Sequence, residues 1–387
     1  MDNKFKKRLL LVLLNSLKSF APSFYTILLS VCVVRFFTPD LWGSFIKYNI
    51  FIMSASIFYN LGNKEYLLKK YSAEPSNLKT LFSTSFFSRI PILILSIITG
   101  FIIYPNIPFF STTIILASGY ISNAINTNMV YEKKFGIQVI VEFIGFLLFI
   151  ICVFSSDTLN LEILLFFYAI QYSLKAVLYL ILERSVFLKP TITLYSFKYI
   201  KQSLPFFFIA FVGFLNTKID LFLVLTLNNN KTIAFYQIIT NLFIAIQSFS
   251  IVVATPFVKQ LYRLDKESLI KIEKKTQLYT PFFIVVCLIL SFLIIKYIYN
   301  FESSFLFYLY GFFIILPSYW LVVAYFNLYR KGEELFVFKI SSIATFLNLI
   351  ISYLFLKLGF GILGILLGSA IAGLVTILLF KTKKHYE

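Results

Sequence analysis

The chain of 387 residues is 59% hydrophobic and only 13% charged, against about 25% charged in soluble domains, so it reads as an all-α integral membrane protein. Its formal net charge of +18 is not the footprint of a nucleic-acid binder, because the lysines and arginines sit in short loops between apolar runs, not on one solvated face. One histidine, His385, and three widely spaced cysteines, Cys32, Cys152 and Cys287, leave little raw material for a metal site, a histidine general base or a disulfide, so neither metal nor cofactor is expected.

The opening MDNKFKKRLLLVLL has a basic start and an apolar run. No small-residue cleavage site follows promptly, and apolar character resumes after Lys18 through Val34, so we read a single spanning helix of about 25 residues instead of a cleaved signal. Pro22 lies near its middle, and Lys18 is roughly 14 Å deep. Further spans are predicted over about 44–61, 80–104 with Arg89 and Pro91, 109–127, 137–154 with Glu142, and 161–182 with Lys175. The seventh, over 203–230, reads SLPFFFIAFVGFLNTKIDLFLVLTLNNN and sets Lys218 and Asp220 inside an apolar run. Residues two apart point to nearly opposite faces of a helix, so this pair cannot neutralise itself. Spans over 233–258, 278–298, 305–328, 335–356 and 359–380 bring the number to about twelve transmembrane helices. Between the eighth and ninth, KQLYRLDKESLIKIEKKTQ places Leu261, Leu264, Leu269 and Ile272 near one face and reads as a helix lying along the membrane surface.

Most of the 35 basic residues fall at the N-terminus, in loops after even-numbered spans or at the C-terminus, whereas loops after odd-numbered spans hold only Arg35, Lys231 and Lys357. This imbalance predicts cytoplasmic termini. The long basic loop at 63–79 corresponds to the one at 259–275, and the loop starting at Tyr131 to the one starting at Tyr329, an offset close to 200 residues. We therefore expect two six-helix lobes, residues 1–200 and 201–387, related by an axis along the membrane normal and enclosing a central path.

Charges inside spans mark candidate function, since each costs about 2.5 to 3.5 kcal/mol to insert and normally faces a bundle interior or a wet cavity. Lys47, Lys296 and Lys339 lie near interfaces and are explained by snorkelling. Lys18, Arg89, Lys175 and Lys218 remain as candidate cavity cations, with Asp220 and Glu142 as charge partners or coupling groups. Arg89 and Lys175 can also snorkel, and Glu142 can serve as a structural partner. A positive excess in a low-dielectric cavity suits an anionic, phosphate-bearing substrate.

The turn Phe37-Thr38-Pro39-Asp40-Leu41-Trp42-Gly43 precedes the second span, and Asn60-Leu61-Gly62 ends it. These stretches resemble the polysaccharide-biosynthesis flippases of the Wzx type, and three more carry the likeness into the second half. In the second half, Ser203-Leu204-Pro205 opens the seventh span, Lys218-Ile219-Asp220 stands where that family has a basic-hydrophobic-acidic triplet, and Ala234-Phe235-Tyr236 starts the eighth. Asn60 replaces the usual acid and Ala234 the usual glycine. The resemblance implies a MOP-exporter (MATE-like) fold of two six-helix lobes around a central cavity. It further implies an undecaprenyl-pyrophosphate-linked oligosaccharide as substrate, an O-antigen or lipopolysaccharide repeat unit, moved from the cytoplasmic to the periplasmic leaflet of the inner membrane by alternating access. Anionic membrane lipids and glycan polymerase or export proteins are the implied partners, and no nucleic acid. Such a protein is not an enzyme.

Two other readings compete. A MATE-like small-molecule antiporter calls for a predominantly acidic cavity, the reverse of the balance here. An O-antigen polymerase or membrane glycosyltransferase calls for a large external loop, and the loops after odd-numbered spans are short. A lipid-linked peptidoglycan precursor flippase shares the chemistry but usually carries more spans.

Overall fold

The computed structural model describes residues 3–104, 108–156, 158–184, 196–254 and 264–382. Among these residues the chain is helical with no strand. The long helices are α1 (Asn3–Phe36), α2 (Pro39–Asn60), α4 (Leu78–Ile103), α5 (Phe109–Tyr131), α6 (Phe135–Phe154), α7 (Leu161–Leu182), α8 (Phe197–Leu225), α9 (Asn230–Ala254), α10 (Lys266–Leu293), α13 (Glu334–Lys357) and α14 (Gly361–Thr382). Helix α3 (Asn63–Ala73) is short, and α11 (Phe305–Trp320) and α12 (Val322–Arg330) together make up one crossing. Ten helical segments among the described residues are long and apolar enough to cross a membrane. The other two expected spans, α2 and α5, match in length at 22 and 23 residues, but serine, threonine and asparagine make them more polar.

Local chemistry explains the boundaries. The Thr38 hydroxyl accepts from the Leu41 amide at 3.2 Å, and Pro39 occupies the first helical position, where its missing N–H costs nothing, so the Thr-Pro-Asp turn is the cap of α2. At the other end Leu61 and Gly62 both take left-handed backbone (φ 47° and 64°), which stops α2 and redirects the chain into α3. A side chain at Gly62 would also strike the backbone of Phe206 and Phe207.

Two boundaries depart from the sequence reading. The segment expected to lie along the membrane surface enters the structure, from Leu264 onward, largely as the first turns of α10. Asp265 caps it by accepting from the Ser268 amide, the Ser268 hydroxyl holds the Asp265 carboxyl below the usual carboxylate range, and no glycine or proline lies between Asp265 and Pro281 to separate these turns from the span. Leu269 packs with Val323, flanked by Ile272 and Phe326, so the apolar face is covered by protein. Residues 259–263 of that expected helix lie outside the described residues. The tenth span is interrupted at Leu321, between α11 and α12, one turn after Pro317, which supplies no backbone N–H.

The chain forms two compact units. The first comprises Leu13–Tyr25 and Ser44–Phe211; the second comprises Met1–Val12, Thr26–Gly43 and Val212–Glu387. In the first, Tyr66, Leu67 and Tyr71 of α3 pack with Tyr199 of α8, so the polar-looking linker after α2 is tied down by an aromatic cluster. In the second, the start of α2 abuts the start of α9. Trp42 is fully buried and its Nε1 donates to Gln237 Oε1 at 2.9 Å, while any Cβ at Gly43 would lie 1.9 Å from the Asn230 carbonyl oxygen. Ser30 of α1 hydrogen-bonds the Tyr299 hydroxyl at 2.7 Å in the same unit.

Candidate functional site

In the first unit α2, α5, α6 and α7 surround a cavity of about 180 Å³. Its wall includes Ser56, Asn123, Asn126, Glu142, Tyr172 and Lys175. Three of the charges singled out from the sequence converge here. Lys175 Nζ pairs with Glu142 Oε2 at 2.7 Å, with the two side chains 13% and 21% exposed. Lys18, from α1, donates to Asn126 Oδ1 at 3.1 Å and lies 5.9 Å from the Phe135 ring centre. Asn126 Oδ1 also accepts from Gln138, so one amide oxygen ties α1, α5 and α6 together.

The sequence places Lys175 by a simple device. Gly145, one turn after Glu142 on α6, has no side chain, and a Cβ there would sit 3.0 Å from Lys175 Cγ. The lysine stem therefore lies across the face of α6 at that glycine, and its ammonium reaches the carboxylate beside Tyr172, whose ring centre is 5.2 Å away. Tyrosine and asparagine elsewhere on the wall give the pocket flat apolar faces edged with hydrogen-bonding groups.

Arg89 stands apart from this wall. It is fully buried in the first unit; Nε donates to the Ser85 carbonyl at 3.1 Å, Nη1 to the Tyr59 carbonyl at 3.2 Å and to Asn60 Oδ1 at 3.5 Å, and the guanidinium stacks 5.1 Å from the Tyr120 ring centre. Its charge thus sits at the C-terminal end of α2, where the helix dipole favours a cation. No hydrogen-bonded carboxylate joins it among the described residues.

Lys218 and Asp220 lie on α8 in the second unit. Lys218 is half-buried and has no hydrogen-bond or ion-pair partner among the described residues, two turns from the end of the helix at Leu225. Asp220 receives Asn348 Nδ2 of α13 at 2.7 Å and the Ser369 hydroxyl of α14. Ser352 donates to Asn348 Oδ1 at 2.8 Å and to the Ile365 carbonyl at 3.0 Å. No cation bonds Asp220 among the described residues. A carboxylate met among the described residues by neutral amide and hydroxyl donors keeps its negative charge, which a proton or a cation can answer.

Sequence reasoning missed the neutral partners, Asn126, Tyr172, Asn348 and Ser369. A signal exists for one group: Ser341, Thr345, Asn348 and Ser352 recur at helical spacing within an apolar run, a polar stripe that must meet another polar surface.

No protein-family model matches this chain, and no curated protein matches it. Solved structures do match it. The fold is that of MurJ and the MATE transporters. The chain is similar to the lipid II flippase MurJ in its inward closed conformation, at 17% identity and a TM-score of 0.72, over 96% of this chain and 87% of that one. It is also similar to an inward-facing MATE multidrug resistance transporter of the MOP superfamily, at 13% identity and a TM-score of 0.58 over 95% and 94% of the two chains. A eukaryotic MATE transporter matches at 14% identity and a TM-score of 0.56, over 97% and 94%. The likeness spans both units and establishes a MOP-type all-helical membrane fold.

Proposed function

We propose that this protein is a lipid-linked oligosaccharide flippase, moving an undecaprenyl-pyrophosphate-linked O-antigen or polysaccharide repeat unit from the cytoplasmic to the periplasmic leaflet of the inner membrane by alternating access. The observation that carries this reading is the first-unit cavity: a tyrosine- and asparagine-edged pocket with Lys175 on its wall and Lys18 bonded to its rim, inside a fold shared with a lipid II flippase. Lys18 and Lys175 attract the pyrophosphate, and the aromatic edges take sugar rings. The basic loops support cytoplasmic termini, with anionic lipids and glycan polymerase or export proteins as the partners of this reading. The two lobes of this cycle are proposed over about 1–200 and 201–387, with residues 26–43 packed in the second unit.

Asp220 favours a coupling ion in this cycle, since among the described residues its carboxylate is compensated by neutral donors alone. The same feature supports a second reading, a MATE-like antiporter whose cargo exchanges against that ion.

Complementation of a strain lacking its own flippase tests the proposal. Lys18→Gln is expected to cut surface glycan at least tenfold at unchanged membrane abundance, and Lys18→Arg to retain export, because a guanidinium also binds phosphate. Normal export by Lys18→Gln at equal protein level removes Lys18 from the cargo site. Drug efflux without glycan export replaces the flippase by the antiporter.

A further inference from the structure

We propose that Glu142 is a resident substitute for the anionic group of the cargo: it holds Lys175 between cargoes, and an incoming phosphate-class oxyanion displaces it, the freed carboxylate taking one proton from water. This inference rests on the cargo reading above and adds the step by which the pocket releases its own anion.

Four observations lead to it. The pair is short, at 2.7 Å, yet neither side chain is sealed, at 13% and 21% exposure, and both face the same cavity. At roughly 30 Å³ per water, 180 Å³ admits a phosphate group without any wall moving. Lys18, hydrogen-bonded among the described residues to the neutral Asn126 alone, supplies a second cation to the rim. With Glu142 ionised the three charges sum to +1, and with Glu142 protonated they sum to +2, the complement of a pyrophosphate diester. The lysine stem lies over Gly145, so its ammonium can turn from carboxylate to ligand by rotation about its own bonds.

The exchange replaces one charge-assisted hydrogen bond by another, which makes it close to balanced and reversible. Its pH dependence follows from what faces Glu142. Lys18 and Tyr25 come from α1, Tyr59 from α2, and Lys175, Tyr168, Tyr172 and Tyr179 from α7; α5 contributes the uncharged Asn123 and Asn126. Tyrosines are neutral at physiological pH, so the carboxyl is the group that gains the proton. Binding that takes up a proton strengthens as pH falls, by at most tenfold per pH unit for one proton.

Radiolabelled sulfate, a tetrahedral dianion that stays fully ionised over about pH 5 to 7.5, is the probe, applied to the full chain purified in nanodiscs. Wild type is expected to bind more tightly as pH falls. Glu142→Gln should bind at least tenfold tighter at pH 7.5 and lose the pH dependence, and Lys175→Gln should lose binding. Glu142→Asp, which keeps the charge on a shorter stem, should keep the pH dependence and guards against misfolding of the amide variant; size-exclusion profiles confirm that each is intact. An amide variant that binds no tighter, or keeps the slope, makes the pair a structural tie and overturns the proposal. Sulfate binding needs no lipid-linked cargo, so exchange that persists while the complementation test fails overturns the cargo reading alone.

Discussion

The two units handle a buried charge in opposite ways. In the first, Lys175 meets Glu142 at 2.7 Å on the wall of a 180 Å³ cavity; in the second, Asp220 is held by Asn348 and Ser369 with no cation bonded to it among the described residues. An ion pair compensates charge with charge, and either partner can accept a competitor of the same sign. Neutral donors compensate by hydrogen bonding, leaving a net negative charge that a proton or cation can answer. The first arrangement suits an anion that comes and goes, and the second suits a coupling ion. Asp220 also ties α8, α13 and α14 together, so its network is a fastening as well as a charge site.

The largest expected effect tests whether the first-unit pair is a true charge couple. Lys175→Ala leaves Glu142 without its cation, at a cost of about 3 kcal/mol, the low end for buried pairs because both groups retain some exposure. The midpoint of thermal unfolding in detergent should fall by several degrees, and Glu142→Gln in the same background should recover most of the loss. Without that recovery, the damage comes from lost packing of the lysine stem and the comparison loses its first term.

Asp220→Asn should have a smaller effect. Asn348 Nδ2 and the Ser369 hydroxyl both donate to the carboxylate, and an amide can accept through only one of its two arms, leaving a donor facing a donor at a cost of about 1 to 2 kcal/mol. A loss as large as that of Lys175→Ala would reveal a cation partner for Asp220 and collapse the contrast between the units.

The smallest effect concerns Arg89, a buried cation compensated by carbonyls, an amide oxygen and an aromatic face. Asn60→Asp would convert a 3.5 Å contact with a neutral oxygen into a charge-assisted one, raising stability by about 1 kcal/mol. A lower unfolding midpoint would mean that the cost of desolvating the new carboxylate exceeds the gain from pairing, and that the end of α2 already satisfies the guanidinium.

Much of this molecule can be read along the chain. A charge in an apolar run stands out locally, so Lys18, Arg89, Glu142, Lys175, Lys218 and Asp220 are all visible as expensive residues that need an explanation. Helix identity is legible for the same reason: hydropathy over about 20 residues is a property of neighbours in sequence. Thr38-Pro39 and Leu61-Gly62 likewise mark the ends of α2 through backbone preferences that act within a few residues.

What tertiary structure alone decides is which charge meets which. Glu142 and Lys175 belong to different helices, and nothing in either segment says that α6 and α7 turn these faces together or that Gly145 makes the room. Six similar-looking charges divide into a pair, a rim cation, a helix-end cation, a lysine with no partner among the described residues and a networked carboxylate only after packing sets their distances. The reason is range: insertion cost and helix propensity depend on the local run, whereas compensation of a buried charge is a contact of about 3 Å, specified by residues far away in the chain.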